Sequence, residues 1–93
     1  MSRARFSLAG RASALVQDAS GIAFVLTTTQ WPSPRAFQCY SSAPAVMEAF
    51  TRLRDGYLAA IIGTAPERAP APTGIEVERL EVLTDGHLLE VQP

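Results

Sequence analysis

The sequence predicts a mainly β fold, a small five-stranded barrel with one α-helix between strands 3 and 4. Three observations lead there. Val46, Phe50 and Leu53 recur at i, i+4 and i+7, a helical stripe found within residues 42–56. On either side of it, short runs rich in β-branched and aromatic residues alternate apolar with polar, the period of a half-buried strand. The six glycines and seven prolines fall largely between these runs, where turns are needed. The chain has 93 residues and is 47% hydrophobic, which fits one globular domain and argues against disorder. Residues 1–86 are expected to form that domain, with 87–93 a short tail or edge strand.

In chain order, residues 6–17 read as a long first strand with Phe6, Leu8, Ala14 and Val16 on one face, and Gly10 marks the expected bulge. Residues 17–21 are a turn cluster. Residues 22–30 make the second strand: Ile22, Phe24 and Leu26 share one face, and Ala23, Val25, Thr27 and Thr29 the other. Trp31-Pro32-Ser33-Pro34 must be loop, because two prolines do not fit a central strand. Residues 35–41 give the third strand, with Phe37 and Cys39 inward and Gln38 and Tyr40 outward. Ser42 is the expected N-cap, Pro44 suits the first helical turn, and Gly56 is the expected helix stop. Glu48 and Arg52 form an i,i+4 pair, and Arg52 and Arg54 suit the negative end of the helix. Residues 57–63 read as a buried fourth strand and 64–74 as a Pro-rich loop. In the fifth strand, 75–83, Ile75 and Val77 alternate with Glu76 and Glu78, and Leu80, Val82 and Leu83 then require a bulge or twist.

The charge balance excludes a generally basic chain. Net charge is −1, but it is unevenly spread: residues 1–40 carry four Arg against Asp18 alone, a net of +3, and residues 41–93 a net of −4. All eight cations are Arg, whose planar fork suits phosphate. Arg3 and Arg5 before an apolar run resemble an export signal, but Arg11 interrupts the run, so strand and a cytoplasmic chain are expected. The lone Cys39 is consistent with a reducing compartment. No apolar run approaches the ~18–20 residues of a membrane span.

Chemistry-bearing clusters are sparse. Cys39 reads as a buried strand residue rather than a nucleophile, and His87 has no second metal ligand at useful spacing. No glycine-rich loop is placed to hold phosphate. No enzyme, cofactor or metal is expected. Flat rings and cations are what single-strand binding requires. Trp31 and Tyr40 supply the rings, Arg11 and Arg35 the cations, and Gln38 shares the outward face of the third strand. Arg68, in the Pro-rich loop, can close over a bound strand. Each has a plainer reading beside it: Trp31 as a cap on the core, Tyr40 as a dimer contact, Arg11 and Arg35 as solvated residues, Arg68 as part of a floppy loop. Glu76, Glu78 and Glu81 are expected to face solvent or a partner.

Residues 27–31, 53–56, 61–63 and 78–83, taken in this order, resemble segments of the bacterial single-stranded-DNA-binding protein family, including the PriB-like primosomal replication proteins. Leu53-Arg54-Asp55-Gly56 is similar to the family's helix end, and Ile61-Ile62-Gly63 to the strand that follows. Glu78-Arg79-Leu80-Glu81-Val82-Leu83 is similar to its closing strand, and Thr27-Thr28-Thr29-Gln30-Trp31 to its Thr-rich strand end leading to a stacking Trp. The resemblance spans residues 6–83 and implies an OB-fold. It further implies a homodimer or higher homo-oligomer, binding to single-stranded DNA or RNA, and a place beside replication or repair proteins. The sequence departs from the family in its lack of Lys, in Ala36 where a Trp is usual, and in its ending, Glu90-Val91-Gln92-Pro93. Those departures support a rival function, an OB-fold protein-interaction module that has lost nucleic-acid binding.

Overall fold

The computed structural model describes residues 3–28, 35–66 and 74–84. Strand β1 (Arg3–Asp18) is the spine of the molecule. Its first half pairs antiparallel with β4 (Leu58–Pro66), from Arg3↔Pro66 to Arg11↔Leu58. Its second half pairs with β2 (Gly21–Thr28), from Arg11↔Thr27 to Asp18↔Gly21. The strand changes partners at Arg11, which is paired on both sides, and Gly10 lies just before it, against β2. An added Cβ there would stand 2.2 Å from the Thr27 carbonyl oxygen, so the close approach of β1 to β2 needs glycine.

The expected bulge in β1 lies at Ala14 rather than Gly10. The register slips between Ser13 and Val16, and Ala14 is left-handed at φ 54°. The extra residue reverses the inward set. Ala12 is buried, Leu15 packs on the core, and Val16 is turned outward, 54% exposed. Val16 and Ala14 therefore do not share the inward face of Phe6 and Leu8.

β3 (Arg35–Ser41) pairs antiparallel with β2 through seven register pairs, Ile22↔Ser41 to Thr28↔Arg35. β5 (Ile75–Thr84) pairs antiparallel with β4 and closes on β3 through two parallel pairs, Cys39↔Ile75 and Tyr40↔Glu76. The result is a closed barrel in the order β1-β2-β3-β5-β4. The irregularity expected in the fifth strand is present twice. The slip opposite Ile62/Gly63 carries the inward set from Ile75 and Val77 to Leu80 and Val82, and a second slip follows opposite Leu58/Ala59. β4 runs to Pro66, so Thr64 and Ala65, expected in the loop, belong to the strand.

Helix α1 (Pro44–Phe50) lies between β3 and β4, with Pro at its start as expected. It is shorter than its stripe. Ala43, not Ser42, is the N-cap, and no side chain caps it; the Ser41 hydroxyl instead accepts from the Ala43 amide at 3.0 Å. Leu53 is buried beyond the helix end, in a turn closed by Leu53 N–H donating to the Phe50 carbonyl. Gly56 (φ 89°) is the left-handed residue of the following turn rather than the helix stop. Arg54 donates to the Thr51 and Leu53 carbonyls at 2.8 Å each, in the turn that follows the helix. Glu48 and Arg52 form no ion pair; among the described residues the pairs are Arg3–Glu76 and Arg5–Glu78.

The core joins both layers. Phe24, Leu26, Ile61, Ile75, Val77 and Cys39 from the sheet meet Val46, Phe50 and Leu53. Phe24 and Phe50 pack with ring centroids 6.0 Å apart, tilted by 36°. Full burial of one such side chain stabilises the fold by roughly 1.5–3 kcal/mol. With the interior filled, the surfaces left open are the outer faces and rims of the barrel.

Candidate nucleic-acid interface

Alternation and register fix which side chains share the outer face of β1–β2–β3. Three cross-strand rows result: Arg11, Thr27 and Ala36; Ser13, Val25 and Gln38; Val16, Ala23 and Tyr40. Most of these side chains are small. Tyr40 therefore stands clear of its neighbours, 46% exposed, with Val16 beside it. Ala14, Ala23, Val25, Gln38, Tyr40 and Gly74 line a shallow groove of about 170 Å³ along this face. Gly74 sits at the ring's edge, where an added Cβ would be 3.3 Å from Tyr40 Cε1.

The cations occupy one end. Arg11 opens the first row, and its Nη1 donates to the Gly56 carbonyl at 2.8 Å. It therefore ties the Gly56 turn to β1, together with Gly56 N–H donating to the Ala12 carbonyl at 2.7 Å. This structural duty was not legible in the sequence. Arg35 has the parity of Phe37, not of Gln38 and Tyr40. It lies at the barrel rim with its guanidinium carbon 5.6 Å from the Phe37 ring centroid. Gln38, Tyr40 and Arg11 are thus brought onto one face, and Arg35 flanks it from the rim. Trp31 and Arg68 lie outside the described residues.

Arg3 and Arg5 lie on the β4–β5 side of β1, where each is 3.5 Å from a carboxylate, Glu76 and Glu78 respectively. Among the described residues neither Arg11 nor Arg35 has such a partner. The four arginines of residues 1–40 are thereby divided: two are matched within the chain, and two have no carboxylate partner among the described residues. Ser13 and Val16 also belong to this face. The sequence hid Val16, because the Ala14 bulge that turns it outward has no glycine or proline to announce it.

Cys39 lies beneath Gln38 and Tyr40, 1% exposed, and burial pushes its thiol up to about 12. A thiol held protonated is no nucleophile at neutral pH. At the far end of the face, Asp18 Oδ1 accepts from the Ser20 hydroxyl at 2.6 Å and its amide at 2.8 Å. Those bonds hold the Asp18 carboxyl below its usual range. No group of three or more His, Cys, Asp or Glu suited to a metal occurs among the described residues. His87 lies outside them. Among the described residues no helix is long and apolar enough to cross a membrane.

A closed five-stranded barrel with this strand order and its helix between β3 and β4 is an OB-fold. The fold is shared with a solved structure, the small single-stranded DNA-binding protein from Streptomyces coelicolor. The TM-score is 0.66, the identity 14%, and the match covers 89% of this chain and 95% of that one. The layout expected from the bacterial single-stranded-DNA-binding group is therefore the layout of this chain. No family model and no curated protein matches the sequence.

Proposed function

We propose that the chain binds single-stranded nucleic acid, DNA in the first place, across the outer face of β1–β2–β3. The observation that carries this reading is the composition of the face. A half-exposed Tyr40 stands among small side chains, with Arg11 on the same face, Arg35 at its rim and no carboxylate in its three rows. Small neighbours let a base reach the ring, and stacking on aromatic rings is tolerant of sequence. Tyr40 and Trp31 stack on bases, Gln38 reaches base edges, and Arg11, Arg35 and Arg68 neutralise phosphates. The named function of the Streptomyces coelicolor neighbour, single-stranded DNA binding, supports the same reading.

The assembly belongs to the proposal. Residues 3–10 of β1 pair with β4 along one edge, and among the described residues no strand pairs with the other. An open edge of this kind accepts a second strand, and a homodimer covers it. Sedimentation velocity at micromolar concentration tests this, and a monomer there removes the dimer. A cytoplasmic setting among replication or repair proteins completes the proposal, with no catalytic role.

The decisive experiment is titration of a labelled oligo-thymidine at low salt, followed by anisotropy and intrinsic fluorescence, with Tyr40→Ala and Trp31→Ala beside the wild type. Each variant is expected to lose about 1–3 kcal/mol of binding, the usual contribution of one stacked base. Absence of binding even at low salt overturns the proposal and leaves a protein-interaction module. The matching of Arg3 and Arg5 by internal carboxylates is the observation that favours this second reading.

A further inference from the structure

Glu76 stands beside Tyr40. The strands β3 and β5 run parallel where they meet, and Tyr40↔Glu76 is one of their two register pairs. Both side chains are exposed on the outer surface. With Val16, Ala23 and Ser42 they line a depression of about 250 Å³, which continues the face described above beyond its third row. Pockets for drug-sized ligands are about 300–1,000 Å³, so this space suits a single planar base. Asp18 also borders it, but its carboxylate is turned into its own bend by the two bonds from Ser20. Glu76 meets Arg3 with Oε1 at 3.5 Å, and its side chain remains 58% exposed.

A carboxylate next to a stacking ring works against backbone binding, since it repels phosphate. Its chemistry fits a base edge instead. An ionised carboxylate accepts hydrogen bonds and donates none. Guanine alone among the common bases presents two adjacent N–H donors, N1–H and the 2-amino group, on its Watson–Crick edge. Two carboxylate oxygens match that pair. Thymine and uracil set one N–H between two carbonyls, which a carboxylate repels. Proteins read unpaired bases on such edges while stacking them on aromatic rings.

Resting on the nucleic-acid reading above, we infer that Tyr40 and Glu76 form a base-selective subsite, in which guanine stacks on Tyr40 and donates to Glu76. Glu76 is then a specificity residue, not the purely solvent-facing or partner-facing group that its place in the acidic half of the sequence suggests.

The test uses thymidine oligomers of about 15 nucleotides, at the long end of single OB-fold sites, with one central guanine, hypoxanthine, adenine or thymine. Their affinities are measured by anisotropy for the wild type, Glu76→Gln and Arg3→Gln. Both substituted side chains are exposed, so both variants keep the fold. The guanine oligomer is expected to bind the wild type at least about fivefold tighter than all-thymine, the low end of discrimination by a bidentate contact. Hypoxanthine, which lacks the 2-amino group, loses most of that gain. Glu76→Gln removes the gain yet tightens binding of the all-thymine oligomer, because a repelling charge has gone. Arg3→Gln keeps the gain. Equal affinity of the wild type for all four oligomers overturns the subsite and leaves single-strand binding standing. A guanine gain that survives Glu76→Gln, or that Arg3→Gln abolishes equally, also overturns it. Failure to bind any oligomer overturns both the subsite and the function on which it rests.

Discussion

The two outer faces of the barrel share strand β1 and differ in what they do with charge. On the β1–β4–β5 face, Arg3 and Arg5 reach across β4 to Glu76 and Glu78, each at 3.5 Å. Arg3 also donates to the Thr64 hydroxyl and carbonyl at 3.1 and 3.2 Å. This face carries a larger depression of about 480 Å³, bordered by Ser7, Ile62, Arg79 and Glu81, in which both signs of charge are present. On the β1–β2–β3 face the rows are small and nearly uncharged, and its arginines have no carboxylate partner among the described residues. One strand therefore serves a self-neutralised surface with its first half and an electropositive, ring-bearing surface with its second. The same residue type, Arg, has different uses on the two, and position along β1 decides which.

That division depends on β1 passing from β4 to β2 beside Gly10, so the largest effect is expected there. In Gly10→Ala the new Cβ falls 2.2 Å from the Thr27 oxygen and 2.7 Å from its carbonyl carbon. Both are backbone atoms that no rotamer change can move. Either β1 withdraws from β2 or the two halves of the barrel part. A loss of about 3 kcal/mol is expected, at the upper end of ordinary overpacking. Urea denaturation measures it. A variant with wild-type stability would mean that the two faces are not joined through this close approach.

A smaller effect is expected at the seam between β3 and β5, where just two register pairs close the barrel. Cys39 is in one of them. Its thiol is raised from 9.0 to about 12 by burial, so the folded state holds its proton after the unfolded chain has released it. Between those values the unfolded state binds fewer protons, and stability falls as pH rises. Below pH 9 the contribution is fully present, and it is lost progressively towards pH 12. The slope is at most about 1.4 kcal/mol per pH unit. Between pH 8 and 10 the wild type should lose about 1 kcal/mol more than Cys39→Ala, measured by denaturation at each pH. Equal losses would show that the thiol does not govern the seam.

The sequence made the barrel legible where one residue type has one physical use. Alternation in 22–28 and 35–41 placed Phe24, Leu26, Phe37 and Cys39 inward and Gln38 and Tyr40 outward, as found. Pro44 marked the start of α1. What escaped depended on partners distant in the chain. The Ala14 bulge puts alanine at φ 54°, a conformation that alanine does not advertise, so Val16 was assigned to the wrong face. Gly10 looked like a bulge because its true neighbour, Thr27, is known only once the strands are paired. Glu76 looked like one of an acidic series, because its neighbour Tyr40 joins it through a parallel pairing across a crossover. The helix stripe ran on to Leu53 because a buried turn residue satisfies the same spacing as a helical one.

The smallest effect discriminates most finely between the faces, because it compares one arginine with another on the same strand. Arg5 and Arg11 are six positions apart and both exposed. Arg5 meets Glu78, and an exposed pair of this kind contributes about 0–1 kcal/mol to stability. Arg11 donates to the Gly56 carbonyl, a bond that satisfies an acceptor but leaves the positive charge unmatched. Arg11→Gln should therefore reduce the salt dependence of oligo-thymidine binding, lowering the log–log slope by about 0.7, the value for one phosphate on a single strand. Arg5→Gln should leave that slope unchanged, because its charge is already balanced on the other side of the barrel. Binding isotherms at several salt concentrations give both slopes. If Arg5→Gln flattens the slope as much as Arg11→Gln does, nucleic acid crosses both faces, and the ion pairs of β1 with β5 open to admit it. If neither substitution changes the slope, phosphates are held elsewhere, and the β1–β2–β3 face contributes rings without charge.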